Sequence, residues 1–170
     1  MDWPASEPID SARLLLEPLS VEHAPSMVEV LAEPSLYDYT GGDAPSLEVL
    51  EDRYATQTVG HSDDGSQWWL NWVVIQRDAG KPVGFVQATV EYDGGRLVAD
   101  IAWLISPSWQ GQGIASEATG AMVAWLRLSR VNRFTAHIHP DHQASMRVAQ
   151  NQALFATSSK KDGETRWESQ

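Results

Sequence analysis

The residues with the clearest potential for chemistry form a short glycine loop at positions 110–115. The loop consists of Gln110, Gly111, Gln112, Gly113, Ile114 and Ala115. Glycine has no Cβ, so the backbone N–H groups of such a loop can converge on a phosphate. A helix that begins directly after the loop adds unpaired N–H groups and the positive end of its dipole. This chemistry indicates a binding site for a pyrophosphate.

The loop differs from the two best-known nucleotide-binding loops. It lacks the Lys-Ser or Lys-Thr ending of the P-loop NTPases. It also lacks the third glycine of the dinucleotide fingerprint, because Ala115 stands two residues after Gly113. Nucleoside triphosphates and NAD are therefore disfavoured as ligands.

Hydrophobic patterns predict that the loop lies between a strand and a helix. Residues 97–105 follow a turn at 93–95 and predict the second arm of an antiparallel hairpin. The stretch after Gly113 predicts an amphipathic helix to about Arg130, because its apolar residues recur at steps of three and four. These residues are Ala118, Met122, Trp125 and Leu126. Strand, glycine loop and helix together form the usual frame of an anion site.

The remaining segments predict one mixed α/β domain. Further strands are predicted at residues 13–18, 68–75, 83–92 and 134–139, and further helices at 21–32, from about 46, and at 143–152. A final hairpin is predicted around the Asp-Gly pair at 162–163. This order argues for an α/β sandwich with a single mixed sheet. We assign residues 1–12 to an N-terminal extension and residues 13–170 to the domain.

The glycine loop and its surroundings resemble the cofactor-binding segment of the GNAT-type N-acetyltransferases. The loop is similar to the Gln/Arg-x-x-Gly-x-Gly/Ala motif of that family. Residues 100–107 resemble the preceding strand, and residues 116–118 resemble the start of the cofactor helix. Farther on, residues 140–145 are similar to the Pro-x-Asn-x-x-Ser segment of the branch that includes ribosomal-protein and aminoglycoside N-acetyltransferases. The resemblance extends from about Arg13 to the end of the chain.

The resemblance implies a single-domain α/β fold with a mixed, mostly antiparallel central sheet flanked by helices. It implies acetyl-CoA as the acetyl donor and a primary amine, of a small molecule or a protein N-terminus, as the acceptor. In this family the strand before the loop diverges from its neighbour, so the backbone of Trp103, Leu104 and Ile105 is expected to pair with the pantetheine arm. Loop residues 110–115, together with Ser116 and His142, are the other expected cofactor contacts.

Acetyl transfer to nitrogen requires a base, since the pKa of an amine lies at about 8 for an α-amino group and about 10.4 for lysine. The sequence has no cysteine, which favours direct attack of the amine on the thioester over a cysteine acyl-enzyme. Asp100 matches a family glutamate and is the candidate base, directly or through water. Ser145 matches the family serine and is the candidate acid for the CoA thiolate. A solvated strand carboxylate and a helix-capping hydroxyl are the respective alternatives.

Two positions depart from the family pattern. His142 replaces an asparagine that usually contacts the cofactor, and Ala153 stands where a glycine normally follows the last helix. A non-catalytic acyl-CoA-binding sensor is therefore the alternative function. A zinc site formed by His137, His139 and His142 is a weaker alternative, and we assign no metal site.

Composition narrows the expected partners and location. The net charge of -11 over 170 residues disfavours nucleic acid and anionic membranes and would attract a cationic substrate. Without cysteine or a signal-like start, the chain is expected in the cytoplasm. Trp68, Trp69 and Trp72 either pack in the core or line an acceptor cleft. The sequence specifies neither the acceptor nor the oligomeric state, and an oligomer is compatible with it.

Overall fold

An eight-stranded mixed sheet runs through the molecule, whose computed structural model describes residues 3–170. Its strands are β1 (Ile9–Asp10), β2 (Leu14–Pro18), β3 (Gln67–Gln76), β4 (Lys81–Asp93), β5 (Arg96–Ile105), β6 (Arg133–Ile138), β7 (Leu154–Lys161) and β8 (Glu164–Ser169). They lie in the order β1-β2-β3-β4-β5-β6-β8-β7. Neighbouring strands are antiparallel except β5 and β6, which are parallel. The predicted mixed, mostly antiparallel sheet is confirmed.

Helices flank the sheet on both faces. Within residues 3–170 these are α1 (Ala24–Val30), α2 (Leu47–Gln57), α3 (Ile114–Leu128) and α4 (Gln143–Asn151), with short 3-10 turns at Val21–His23, Pro34–Tyr37 and Pro107–Trp109. The helix predicted at 21–32 is shorter than expected, because Pro25 has no N–H to bond the Val21 carbonyl. That region opens as a 3-10 turn instead. In the part of the chain that the structure describes, no helix is both long and apolar enough to span a membrane.

Two hydrophobic layers hold the helices against the sheet. The larger layer lies under α3 and α4, and its fully buried side chains include Trp72, Met122, Leu126 and Phe134. The smaller layer lies under α1 and α2 and includes Met27, Leu50, Tyr54 and Val73. Because side chains alternate along a strand, Trp68 joins Trp72 in the larger layer and Trp69 points to the opposite face. The core interpretation therefore holds for two of the three tryptophans.

The segment before β2 packs on the domain. In β1, Ile9 pairs with Leu16 of β2. The Trp3 ring stacks on Trp68 with centroids 5.4 Å apart. Glu7 accepts a hydrogen bond at 2.8 Å from the indole N–H of Trp72. The described part of the N-terminal extension thus adds one short strand and closes the edge of the larger core.

The parallel pair of strands separates in the middle of the sheet. Register pairs between β5 and β6 run only from Val98–Arg133 to Asp100–Thr135. Beyond Asp100, β5 stays paired with β4 as far as Ile105, whereas β6 pairs with β8 from Thr135 onward. A wedge therefore opens between the two strands, and it exposes one backbone edge of β5. This is the strand divergence that the family resemblance implies.

Ala153 follows α4 in a conformation that glycine favours. Its φ is 61°, in the left-handed region that costs an L-residue roughly 1–2 kcal/mol. We expect Ala153→Gly to raise the free energy of unfolding by about 0.5–1 kcal/mol, after the entropy that glycine adds to the unfolded chain is deducted. Denaturant unfolding measures the change.

The matched control is Ala55→Gly at an exposed position inside α2, where glycine should lower stability by about 1 kcal/mol. If both variants lose stability, the strain assigned to Ala153 is not present.

Candidate active site

The glycine loop joins the end of β5 to the start of α3. Gly111 and Gly113 each have a φ of 77°, which a residue with a Cβ adopts only under strain. Gly113 is the N-cap of α3, and among residues 3–170 no side chain caps this helix. The N–H groups of the first turn are therefore open to an anion. Ile114 is buried in the core, so its backbone is the part that can face a ligand.

The first residue of the loop and the residue that follows it are held by contacts to neighbouring elements. The Gln110 side-chain amide donates to the Ile105 carbonyl at 2.8 Å and ties the loop to the strand end. The Ser116 hydroxyl accepts a hydrogen bond from Asn151 of α4 at 2.9 Å. These two hydrogen bonds anchor both ends of the loop, and such anchoring reduces the entropic cost of binding.

A cation that the sequence interpretation missed lies beside the loop. Arg13 donates to the Gln112 carbonyl at 2.9 Å and to the Glu117 carboxylate at 2.7 Å. One of its guanidinium nitrogens lies 3.6 Å from the place where a Cβ on Gly113 would stand. Sequence patterns could not have found this contact, because Arg13 and the loop are far apart along the chain. The arginine adds positive charge where a pyrophosphate would bind.

Glu117 connects α3 to the segment before β2. Its carboxylate accepts hydrogen bonds from the Ser11 hydroxyl at 2.6 Å and from the Arg13 backbone N–H at 3.0 Å. Burial alone would raise the pKa of Glu117, but these hydrogen bonds and the Arg13 guanidinium together lower it. Glu117 is therefore ionised at neutral pH and anchors the helix that follows the loop.

Side chains on the β5 edge pack against the two cores, so the backbone is the part that can pair with an extended ligand. Ile105 is buried in the larger core, against which Trp103 also packs, while Leu104 packs against the smaller one. Their edge on the side of β6 has no strand partner, since pairing with β6 ends at Asp100. This edge offers N–H and C=O groups to an extended ligand.

Asp100 lies where the wedge between β5 and β6 opens. Its carboxylate accepts a hydrogen bond from the Thr135 hydroxyl at 2.9 Å. The same oxygen lies 3.2 Å from Nδ1 of His137. The Asp100 side chain is half exposed and the His137 side chain is one quarter exposed (24%). The structure thus pairs the candidate base with a histidine that the sequence placed only in the zinc alternative.

Ser145 and His142 lie together at the start of α4. The Ser145 hydroxyl is 3.3 Å from Nε2 of His142. His142, not Ser145, occupies the N-cap position. Burial, and next the charge of His139, lower the pKa of His142. The His142 ring is therefore neutral at pH 7 and can either donate to Ser145 or accept from it.

Tyr39 reaches this pair from the loop before α2. Its ring stacks on His142 with centroids 4.4 Å apart and an interplanar angle of 12°. It also lies 5.1 Å from the His139 ring. The sequence shows no tyrosine after Tyr92, and Tyr39 enters the site only through tertiary folding. Its loop links the α1–α2 side of the molecule to α4.

The three histidines of the zinc alternative contact different partners. His137 lies against Asp100, and His142 lies against Ser145. Nδ1 of His139 accepts a hydrogen bond from the Asp141 backbone N–H at 3.0 Å. Across residues 3–170, no three His, Cys, Asp or Glu side chains are grouped as metal ligands. The zinc alternative therefore gains no support from the geometry.

Two adjoining cavities lie near α2. The first, which we call the α2 cavity, has a volume of about 210 Å³ and lies between α2 and the sheet, with polar lining from Arg53, Gln57, Asn71 and Gln87. The second, the edge cavity, measures about 780 Å³ and includes Trp69 in its lining. Both cavities share Gln57 and Asn71. Gln87 pairs with Ala102, two residues along β5 from Asp100 and on the same face. An acceptor in these cavities can therefore extend toward Asp100.

The separated strands, the uncapped glycine loop and the carboxylate at the wedge are the features expected of an acyl-CoA-dependent transferase. The sequence matches the family model for the acetyltransferase (GNAT) domain over residues 13–152. The chain therefore belongs to the GNAT acetyltransferase family. It is an acetyltransferase, and its acetyl donor is acetyl-CoA. Among curated proteins, no sequence matches this chain at a significant level.

Solved acetyltransferases share this fold across nearly the whole chain. A GNAT acetyltransferase from Bacillus anthracis is 17% identical with a TM-score of 0.74, covering 95% of this chain and 97% of its own. RimL, a ribosomal L7/L12 alpha-N-protein acetyltransferase in complex with coenzyme A, is 19% identical with a TM-score of 0.76, covering 95% and 97%. AAC(6')-Ib in complex with paromomycin and acetyl-CoA is 18% identical with a TM-score of 0.75, covering 92% and 93%. These identities establish a common fold.

Gly113→Glu should weaken CoA binding. The φ of 77° strains any residue with a Cβ, and the added carboxylate would repel the pyrophosphate, so we expect at least about a tenfold loss of affinity. Isothermal titration calorimetry with CoA measures it.

Gly94→Glu is the matched control, because Gly94 has a φ of 58° in the β4–β5 turn and has nothing within 4 Å of an added Cβ. If the Gly113→Glu variant binds CoA with unchanged affinity, the loop is not part of the cofactor site.

Proposed function

We propose that this protein is an N-acetyltransferase that moves the acetyl group directly from acetyl-CoA to a primary amine of a small molecule or a peptide N-terminus. The observation that carries the proposal is the contact of Asp100 with His137 at the opening of the wedge. The absence of cysteine supports direct transfer, since no thiol can hold the acetyl group. We also propose a cytoplasmic location, in keeping with a chain that can form no disulfide.

The chain offers a continuous set of groups for the cofactor. We assign the pyrophosphate to the backbone of Gly111, Gln112, Gly113, Ile114, Ala115 and Ser116, with Arg13 beside it. The pantetheine arm is assigned to the free edge of β5 at Trp103, Leu104 and Ile105. Gln110 holds the loop in place, and we assign His142 to the sulfur end of the cofactor. Bound acetyl-CoA supplies an acetyl group activated as a thioester.

The Asp100–His137 pair is the proposed base. The Asp100 carboxylate lies beside Nδ1, and its negative charge favours the ring proton on that nitrogen, which leaves Nε2 to take the proton of the amine. The Asp100 oxygen, 3.2 Å from the ring, then stabilises the imidazolium charge. Thr135 fixes the carboxylate by its hydrogen bond. In this assignment His137 removes the proton and Asp100 orients the ring.

Ser145 is the proposed proton donor to the departing sulfur. Its hydroxyl lies 3.3 Å from a histidine that is neutral at pH 7. In the tautomer with a proton on Nε2, His142 donates to the Ser145 oxygen and stabilises it as the hydroxyl proton leaves. Base and acid are thus separate groups on separate elements, as a direct transfer requires.

Amine acceptors suit the charge and the cavities of the chain. A net charge of -11 attracts an ammonium group toward the site. The α2 cavity opens on the same face as Asp100. Among the structural relatives, RimL is a protein alpha-N-acetyltransferase and AAC(6')-Ib was solved with paromomycin. Both support an amine acceptor without deciding between a peptide and a small molecule.

The direct test is acetylation by the purified protein. We expect amine-dependent release of CoA thiol from acetyl-CoA, together with an acceptor product heavier by one acetyl group in the mass spectrum. The panel should contain peptides with free N-termini, amino sugars and simple diamines. If CoA binds but no amine raises thiol release above hydrolysis, the sensor alternative replaces the proposal.

Asp100→Asn and His137→Gln test the proposed base. We expect kcat to fall by about 10²–10⁴, the usual contribution of a positioned base, while the KM for acetyl-CoA stays nearly constant. Asp93→Asn is the matched control, because this carboxylate lies at the far end of β4. Full kcat in both variants would assign proton removal to another group.

A further inference from the structure

Arg53 is an unpaired cation in the lining of the α2 cavity. Arg13, Arg77 and Arg166 each form an ion pair with a carboxylate. No carboxylate of residues 3–170 lies within ion-pair distance of Arg53. Other lysines and arginines of residues 3–170 also lack an ion pair, but none of them lines the α2 cavity or the edge cavity. Its guanidinium keeps five N–H donors available.

The other polar groups of the cavity also suit an oxyanion. Gln57 of α2, Asn71 of β3 and Gln87 of β4 present side-chain amides, which can donate N–H groups. Burial raises the pKa of Tyr54 to about 12, although the nearby Arg53 charge opposes this rise. The Tyr54 hydroxyl is therefore protonated at neutral pH. The cavity holds one cation and several donors, and none of its lining residues is acidic.

The size of the α2 cavity limits how much of a substrate it can take. Its volume of about 210 Å³ is below the roughly 300–1,000 Å³ of cavities that hold a whole ligand. It therefore accepts one group of the acceptor, with the rest of the molecule outside. A carboxylate fits this space, and a full amino sugar scaffold does not.

Strand spacing gives the distance from the cavity to the proposed base. Gln87 lies on β4 and His137 on β6, two strands away in the sheet. Neighbouring strands are about 4.8 Å apart, so the two positions are separated by at least about 10 Å. An extended peptide spans roughly 3.3 Å per residue. At least about three residues are therefore needed to reach from an amine at the base to a carboxylate in the cavity.

We propose that the α2 cavity binds a carboxylate of the acceptor and that Arg53 selects for it. The substrate class is a zwitterionic short peptide, whose N-terminal amine and carboxylate are separated by at least about three residues. Such a molecule is neutral overall, so the acidic surface does not repel it as it would a polyanion. This inference rests on the proposed function, because the amine must lie at the Asp100–His137 pair.

The inference is tested in the acetyl-CoA assay with three acceptors: alanine, dialanine and trialanine. Each acceptor is used as the free acid and as the C-terminal carboxamide. We expect Arg53→Gln to lower kcat/KM for trialanine acid at least about tenfold, mainly through KM, because it removes a charge-assisted hydrogen bond. The carboxamide should change by less than about twofold, and alanine, too short to reach the cavity, should show little dependence on Arg53. The acid and the amide differ in the pKa of their amine. This difference cancels when each acceptor is compared between the natural protein and the variant.

Glu51→Gln is the matched control, since it changes one charge on an exposed residue of the same helix that does not line the cavity. Arg53→Lys should restore part of the preference for the acid, because it keeps the charge but not the bidentate geometry. Equal loss for acid and amide in Arg53→Gln, or no preference for the acid in the natural protein, would overturn the selection by Arg53.

A binding measurement separates this inference from the proposed function. Calorimetry of trialanine acid and amide on the CoA-loaded protein reports the carboxylate preference without turnover. Acid-selective binding that disappears in Arg53→Gln supports the cavity even if no peptide is acetylated, in which case the proposed function alone fails. If neither turnover nor binding differs between acid and amide, the inference is overturned, whereas the proposed transferase function still stands.

Discussion

The end of pairing between β5 and β6 after Asp100 is the constraint on which the site depends. A strand edge in the middle of a sheet leaves N–H and C=O groups without partners, and each unpaired group destabilises the fold. Here the β5 edge is fixed by its ladder to β4 and by side chains packed in both cores. An extended ligand with its own amides can complete the ladder. The same separation exposes Asp100, and β5 then continues into the glycine loop. One break in pairing therefore brings together the free edge of β5, the candidate base and the candidate anion site.

An acidic chain that binds an anionic cofactor must do so through local charge. The net charge of -11 acts at long range, but salt screens exposed charges beyond about 8 Å at physiological ionic strength. At contact distance the loop N–H groups, the helix dipole and Arg13 dominate. Ser11, Arg13 and Glu117 also tie the segment before β2 to α3. The N-terminal segment therefore contributes to the anion site as well as to the sheet.

Local sequence patterns predicted the features that depend on neighbouring residues. The glycine loop, the β4–β5 hairpin and the start of α2 follow from turn residues, strand periodicity and the Ser46 cap, and the structure contains all three. The partners of the site could not be predicted, because Arg13 and Tyr39 meet it only through tertiary folding. His137 was visible as a residue, but its partner Asp100 depends on the parallel register of two strands with α3 between them. The two-residue β1 is too short to give a pattern.

Two departures from the family pattern suggested a non-catalytic protein, and the structure accommodates both. The His142 ring stacks on Tyr39 over a larger area than an asparagine side chain could offer. The lowered pKa of His142 keeps this ring neutral beside Ser145. Ala153 adopts the left-handed conformation of the usual glycine, at a cost of roughly 1–2 kcal/mol that a domain can tolerate. Neither change removes a donor from the glycine loop or separates β5 from β4. Both departures therefore alter local contacts while the cofactor edge and the base remain in place, which weakens the argument for a sensor without activity.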